Sequence, residues 1–272
     1  MQGRLTLGPT GGAVRTGLLA AGLAAALLSL GGCDGPPGGG TAGRTECLDP
    51  ATVADPDIRR EAARIGAAGF CVTERRFTAG GRTWVVHDIE ARRGGPLHVV
   101  PHDDENASFP IALHALERLG GRMVVVEAGE SRFFGGVDPN RHFSDGRASA
   151  AVCAGGDPDP DLAEAILLGA PGTVIAYHSN DPGYAGDGRG GAGTISIRRA
   201  TDTLRPFPAA GAAVGGDDAA ILVAGRSPAP GGRVAGEIAR LTAAGINVIY
   251  EVVRPERDDC SLSNHLLLAG GP

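Results

Sequence analysis

Apolar residues recur with two different spacings along residues 56–253, one typical of helices and the other of strands. Helical spacing predicts a helix, whereas a short apolar or alternating run predicts a strand. The predicted helices are 56–68, 108–119, 161–168 and 234–244. The predicted strands are 82–89, 97–100, 123–126, 173–177, 219–223 and 246–253, with an edge strand at 194–197 and a C-terminal strand around residue 265. This alternation predicts an α/β sandwich with a mixed, mainly parallel central sheet.

The N-terminus has the pattern of an export signal. Arg4 and Arg15 precede an apolar run at 17–30. This run is shorter than the roughly 20 residues of a membrane-spanning helix. The run ends in Leu30-Gly31-Gly32-Cys33, which resembles a bacterial lipobox and implies cleavage before Cys33 and lipidation of that residue. The alternative is an ordinary signal peptide followed by a chance cysteine.

These features predict three segments. A lipoprotein signal peptide occupies 1–32, a lipid-anchored tether rich in glycine and proline occupies 33–46, and a single domain occupies 47–272. We therefore expect a membrane-anchored lipoprotein of the bacterial cell envelope that faces the periplasm or the cell exterior. Its contact with the membrane would be through the lipid on Cys33.

Export also bears on the cysteines and on possible partners. With Cys33 lipidated, Cys47, Cys71, Cys153 and Cys260 remain in an oxidising compartment, and they allow three pairings. We favour Cys47 with Cys71, because these two flank the first predicted helix, while some of the four can instead be buried thiols.

The net charge of −6 argues against a nucleic-acid partner.

Candidate metal ligands follow two buried strands. His102 and Glu105 lie three residues apart, directly after the strand at 97–100, and His178 follows the strand at 173–177. An imidazole and a carboxylate at this spacing can both reach one metal ion, with His178 as the third ligand. Two histidines and one glutamate leave the fourth zinc position open, which is typical of a catalytic rather than a structural zinc site. The sequence thus predicts one Zn²⁺ ion.

Two further motifs suggest substrate binding and catalysis. Asn140 and Arg141 are adjacent, and an amide beside a planar guanidinium can bind a carboxylate. Glu251 interrupts the apolar strand at 246–253, where an unpaired charge is costly to bury. Beside an activated water, such a glutamate can act as general base.

The order of these motifs resembles the zinc carboxypeptidases of the carboxypeptidase A type. The matching stretches are His102-Asp103-Asp104-Glu105, Asp138-Pro139-Asn140-Arg141, Tyr177-His178-Ser179 and Tyr250-Glu251. The resemblance implies a zinc-peptidase-like three-layer sandwich. It implies His102, Glu105 and His178 as zinc ligands, Asn140 and Arg141 as binders of the substrate's terminal carboxylate, and Glu251 as the base. It also implies an oxyanion-stabilising arginine, either Arg122 or Arg132.

The chain departs from this family in two respects. The stretch from Glu105 to Asn140 is short, and nothing aromatic lies between Phe207 and Tyr250, where the family has a tyrosine that closes over the substrate. Such losses also mark the related succinylglutamate desuccinylases and aspartoacylases, which remove acyl groups from amino acids. The expected partner is therefore a peptide or an N-acyl amino acid with a free carboxylate. A non-catalytic lipoprotein that binds metal or peptide is the alternative to an enzyme.

Neighbouring polar residues receive simpler interpretations. We expect Asp103 or Asp104 to hydrogen-bond a ligand imidazole. His98 is interpreted as a core residue and His142 as a solvated loop residue. The glycine-rich segment 181–193 is either a rim beside the metal or an idle surface loop.

Overall fold

The computed structural model describes residues 46–143, 153, 159–170, 172–179, 195, 197, 200–211, 213 and 219–269. The predicted signal peptide, the tether up to residue 45 and the segment 181–193 lie outside these residues. The described residues all belong to one compact unit, Arg44–Pro272. Among them, no helix has the length and apolar character needed to cross a membrane.

The described residues form strands and helices in alternation over most of the chain. The strands are β1 Cys71–Ala79, β2 Arg82–Glu90, β3 Leu97–Val100, β4 Arg122–Val126, β5 Val174–Ala176, β6 Leu204–Phe207, β7 Ala220–Gly225 and β8 Asn247–Val252. The helices are α1 Pro56–Arg60, α2 Ala62–Ala68, α3 Ser108–Leu119, α4 Pro160–Leu167, α5 Gly232–Ala243 and α6 Leu262–Leu268. The predicted α/β class is confirmed at this level.

The strands form two mixed sheets. The larger has the order β1-β2-β4-β3-β5, in which β3 runs parallel to both β4 and β5, and β2 runs antiparallel to β1 and β4. The smaller has the order β6-β8-β7, with β8 parallel to β7 and antiparallel to β6. Parallel pairing of β3 with β5 brings the C-terminal ends of these two strands to the same edge of the larger sheet.

Alternate residues of β4 pack into two different hydrophobic clusters. Met123 and Val125 belong to the cluster that contains Phe109 and Leu113 of α3. Val124 and Val126 belong to the cluster that contains Leu162 and Ile166 of α4. Successive side chains of a strand point to opposite faces, so each face of this sheet is covered by apolar residues. Burial on both faces explains why β3 and β4 are almost continuously apolar.

The larger sheet is mixed, as predicted, but not mainly parallel, because two of its four strand pairs are antiparallel. Three further parts of the fold differ from the sequence-based expectations. The polar edge strand β1 was not expected, because its glutamate and arginines obscure the alternation. The expected C-terminal strand is wrong: helix α6 forms there, and the Ser261 side chain caps it by accepting from the backbone N–H of Asn264. Within the predicted edge strand at 194–197, only residues 195 and 197 are described, and neither is in a strand.

Two disulfides join the four cysteines of the domain. Cys47 pairs with Cys71, which was the favoured pairing, and Cys153 pairs with Cys260. The second disulfide closes a loop of 107 residues and brackets the stretch that contains His178 and Glu251. A crosslink over a long loop restricts the unfolded chain more than one over a short loop. Disulfides are compatible with an exported protein.

Candidate metal centre

The loop after β3 buries three of its polar side chains. His102, Asp103 and Glu105 retain only 1%, 3% and 7% of their surface exposed. Asp103 fixes the loop, because its Oδ2 accepts hydrogen bonds of 2.8 Å from the backbone N–H groups of Ala128 and Glu130. The loop is therefore anchored to the segment that follows β4.

The three predicted metal ligands converge at this loop. The Glu105 Oε1 lies 2.8 Å from the His102 Nδ1, and its Oε2 lies 3.3 Å from the His178 Nδ1. The two Nδ1 atoms are 3.3 Å apart. His178 reaches this point because the residue before it, Tyr177, donates its backbone N–H to Val99 and so continues the pairing of β5 with β3. One atom from each of the three side chains could reach a single metal ion.

Glu105 has two further partners that hold its carboxylate in place. The backbone N–H of Ser179 donates to Oε2 at 2.8 Å, and the hydroxyl of Ser108 donates to the same oxygen at 3.3 Å. Ser108 is the first residue of α3, whose N-cap position is Ala107 and has no side-chain hydrogen bond. The serine thus serves the carboxylate instead of the helix end.

Asp138 occupies the other side of His102. Its Oδ1 lies 2.7 Å from the His102 Nε2, so each ring nitrogen of this histidine faces a carboxylate. The expectation that Asp103 or Asp104 would take this role is wrong for the contacts described, because Asp103 instead binds the backbone at residues 128 and 130. A carboxylate on one ring nitrogen orients a histidine and leaves the opposite nitrogen to a metal.

The electrostatics of this group favour ionised side chains. Burial alone would lower the pKa of His102, but its hydrogen bonds with Asp138 and Glu105 raise it above the ordinary value. Burial would raise the pKa of Glu105, yet the two histidines hold it well below its usual range. In the same way, the bond with His102 outweighs burial and lowers the pKa of Asp138 to about 2. Both carboxylates are therefore charged at neutral pH.

The structure distinguishes between the two candidate arginines. Arg132 donates to the Glu105 Oε1 at 2.9 Å and to the Asp138 Oδ2 at 3.1 Å. Arg122 lies on β4 and pairs with Asp88 at 3.3 Å. Arg132 is thus the arginine beside the predicted ligands, and its side chain is 37% exposed, which leaves part of the guanidinium available to another group.

Asn140 and Arg141 lie on the side of His178. The Asn140 Nδ2 is 3.4 Å from the His178 Nε2, and its Oδ1 accepts from the backbone N–H of Leu262 at 3.0 Å. The Arg141 guanidinium donates to the backbone carbonyl of Asn140 at 2.8 Å and pairs with Asp259 at 3.6 Å. The amide is therefore part of the buried group, whereas the guanidinium is half-buried at its margin.

Glu251 lies near Arg141 rather than in direct contact with the three ligands. It is on β8, opposite Leu204 of β6 and Ala224 of β7. Burial raises its pKa to about 7, with a further increase from Asp259, while Arg141 and a hydrogen bond with Ser263 oppose the shift. Asp259, Arg141 and Ser263 are therefore close enough to Glu251 to affect its ionisation.

Two histidines outside the ligand set are both buried. His98 is a core residue, as expected: its Nδ1 lies 2.8 Å from the Tyr177 hydroxyl and its Nε2 lies 3.0 Å from the Gly120 carbonyl. His142 was expected to be solvated, but it is 4% exposed and its ring lies edge-on to Trp84 at 6.4 Å. Its neighbours in sequence gave no sign of this aromatic contact.

Comparison of the chain with family models, with curated proteins and with solved structures finds no match.

The raised pKa of Glu251 predicts a stability penalty that Glu251→Gln should remove. Between its ordinary pKa of 4.5 and the folded value of about 7, the unfolded carboxyl is ionised while the folded one remains protonated, so stability falls as pH rises through this window. In the presence of a metal chelator, the free energy of unfolding of the Gln variant should exceed that of wild type by roughly 1–3 kcal/mol at pH 8. The two should be equal at pH 4, as measured by urea unfolding.

The matched control for this measurement is Glu237→Gln on α5, where the side chain is 56% exposed. It should unfold like wild type at both pH values. A Glu251→Gln variant that is less stable than wild type at pH 8 would contradict the electrostatic description of this residue.

Proposed function

We propose that the chain is an exported, lipid-anchored, zinc-dependent hydrolase that cleaves an amide bond next to a free carboxylate. In this proposal it is related to the zinc carboxypeptidases of the carboxypeptidase A type, and its two sheets belong to a zinc-peptidase-like three-layer sandwich. The observation that carries the proposal is the convergence of His102, Glu105 and His178, whose ligand atoms all lie within 4.8 Å of one another.

The residues at this point fit a zinc ion. Two imidazole nitrogens and one carboxylate are a donor set that zinc takes in catalytic sites. Asp138 binds the Nε2 of His102, so the Nδ1 is the nitrogen that faces Glu105 and His178. When bound, the ion would supply Lewis acidity that polarises the substrate carbonyl and acidifies water.

Glu251 is the proposed general base. A base works best when its pKa is near the operating pH, and burial brings the pKa of this carboxyl to about 7. It would accept a proton from the attacking water and pass it to the leaving amine. Its place beside Arg141 would put this proton transfer next to the end of the substrate that carries the free carboxylate.

In this proposal, Arg141 and Arg132 bind different negative groups of the substrate. Arg141 would bind the terminal carboxylate of the substrate as a planar fork, with Asn140 as an added donor. Arg132 would donate to the negative oxygen that develops on the attacked carbonyl, because it lies against Glu105 and remains partly exposed. In each role, the arginine would give up part of its contact with the protein carboxylates and bind the substrate instead.

Lipid anchoring on Cys33 and a location in the bacterial cell envelope complete the proposal. Two disulfides support export, since such bonds persist in oxidising compartments. A substrate from the envelope, either a peptide or an N-acyl amino acid, would then be within reach of a tethered domain.

Two other functions are alternatives to a carboxypeptidase-like activity. The short stretch from Glu105 to Asn140 favours an N-acyl amino acid deacylase of the desuccinylase or aspartoacylase type. A non-catalytic lipoprotein that binds metal or peptide would need the same ligands but no base. The presence of Glu251 together with all three ligands favours an enzyme over such a binding protein.

Replacement of Glu251 by Gln should separate binding from turnover. The variant keeps the shape of the side chain but lacks a basic oxygen, so zinc content should persist while turnover falls by roughly 10²–10⁴-fold. Zinc is measured by mass spectrometry, and turnover is measured on a panel of peptides and N-acyl amino acids. Unchanged turnover would exclude Glu251 as the base, and zinc-loaded wild type without turnover on any panel member would favour the binding protein.

Replacement of Arg141 by Ala should weaken hydrolysis of substrates with a free carboxylate, and Arg141→Lys should restore it only in part, because an ammonium cannot form the bidentate pair. We expect kcat/KM to fall by roughly 10²-fold or more on these substrates. Amide-capped versions should be much less affected. The control is Arg240→Ala, an exposed residue of α5. Wild-type rates of the Arg141→Ala variant on both substrate classes would refute the assignment.

A further inference from the structure

A second group of potential ligands lies apart from the three residues described above. It consists of Asp55 at the N-terminus of α1, His87 on β2 and Glu127 directly after β4. One ligand atom from each of them lies within 4.8 Å of the others. Asp55 and His87 are fully buried, each with 0% of its surface exposed.

Each carboxylate in this group uses one oxygen and leaves the other without a partner. The Asp55 Oδ1 accepts from the Ile58 backbone N–H at 2.9 Å, and the Glu127 Oε1 accepts from the Gly129 backbone N–H at 2.9 Å. The Asp55 Oδ2, the Glu127 Oε2 and both ring nitrogens of His87 are buried without a hydrogen bond. An unsatisfied buried polar atom costs roughly 1–3 kcal/mol, so several in one place require an explanation.

The charges nearest to the two carboxyls are mainly negative. Burial raises the pKa of Asp55 and of Glu127, and the negative charge of Asp103 raises both further. His87 does not supply the missing positive charge, because burial lowers its pKa and its nearest carboxylate oxygen, on Glu74, is 3.8 Å away. One imidazole and two carboxyl groups are a suitable set of ligands for a metal ion.

We propose that Asp55, His87 and Glu127 bind a second divalent transition-metal ion, for which zinc is the best-matched probe. One imidazole nitrogen with two carboxylate oxygens suits zinc or manganese, whereas calcium and magnesium prefer oxygen ligands alone. Full burial of two of the three ligands indicates a structural ion rather than a catalytic one. The ion would satisfy one orphaned atom of each of the three side chains at once.

The position of this site gives the ion a mechanical role. It would tie the start of α1 to β2 and to the segment after β4. That segment receives the Asp103 side chain at residues 128 and 130, and Asp103 directly follows His102. A bound ion would therefore stiffen the surface against which the loop of the first site is held. The inference does not rest on the proposed function, because it concerns different ligands.

Metal counting on the full-length chain tests the inference. Protein reloaded with zinc and desalted should contain two zinc ions per chain by mass spectrometry. Asp55→Asn and Glu127→Gln should each retain one, because each isostere keeps the oxygen that accepts the backbone hydrogen bond but replaces the orphaned oxygen by an NH₂ group. Zinc should also raise the unfolding temperature of wild type more than that of either variant.

Two further variants make the result specific. Asp49→Asn changes another helix-capping aspartate, one that accepts from the Ala51 N–H, and should leave the count at two. His178→Asn should remove the ion of the first site alone.

A wild type with a single zinc that His178→Asn removes would overturn the second site. Wild-type counts in both Asp55→Asn and Glu127→Gln would overturn it as well. A single zinc that is lost in Asp55→Asn but kept in His178→Asn would instead support this site and count against the proposed function. If Asp55→Asn fails to fold, Glu127→Gln and the wild-type count decide.

Discussion

The buried carboxylate of Glu105 is the constraint on which the candidate metal centre depends. Two imidazoles, the guanidinium of Arg132, a serine hydroxyl and the backbone N–H of Ser179 all contact its two oxygens. These groups come from the loop after β3, from α3, from the segment after β4 and from the end of β5. They meet only because β3 pairs in parallel with both β4 and β5. The sheet topology thus creates the site, and the carboxylate holds its parts together.

Two features outside the three ligands cost stability. Glu251 is half-buried with a raised pKa, and the second group leaves carboxylate and imidazole atoms without partners. Such costs concentrate where a protein binds or reacts, because a site optimised for a ligand is not optimised for its absence. The metal-free chain is therefore expected to be less stable than the size of its apolar core suggests, and bound ions would restore the difference.

The sequence predicted this structure best where one local signal was sufficient. Helix α3 has the predicted bounds, and His102 and His178 were found because each follows a mostly apolar strand. The roles of Asp138 and Arg132 depend on a fold around residue 138 that brings distant residues to His102 and Glu105, which no local pattern encodes. The second group was missed for the same reason: His87 and Glu127 meet through the antiparallel register of β2 and β4, and Asp55 reads locally as a helix cap.

The central claim is that His102, Glu105 and His178 hold one zinc ion with an open position. Diffraction from crystals of the zinc-loaded protein, recorded on both sides of the zinc absorption edge, tests it most directly. We expect an anomalous peak bounded by the Nδ1 atoms of His102 and His178 and by the Glu105 carboxylate, at roughly 2.0–2.2 Å from each, with no fourth protein ligand. Absence of a peak between these three residues, or a fourth side chain that closes the coordination sphere, would contradict the claim.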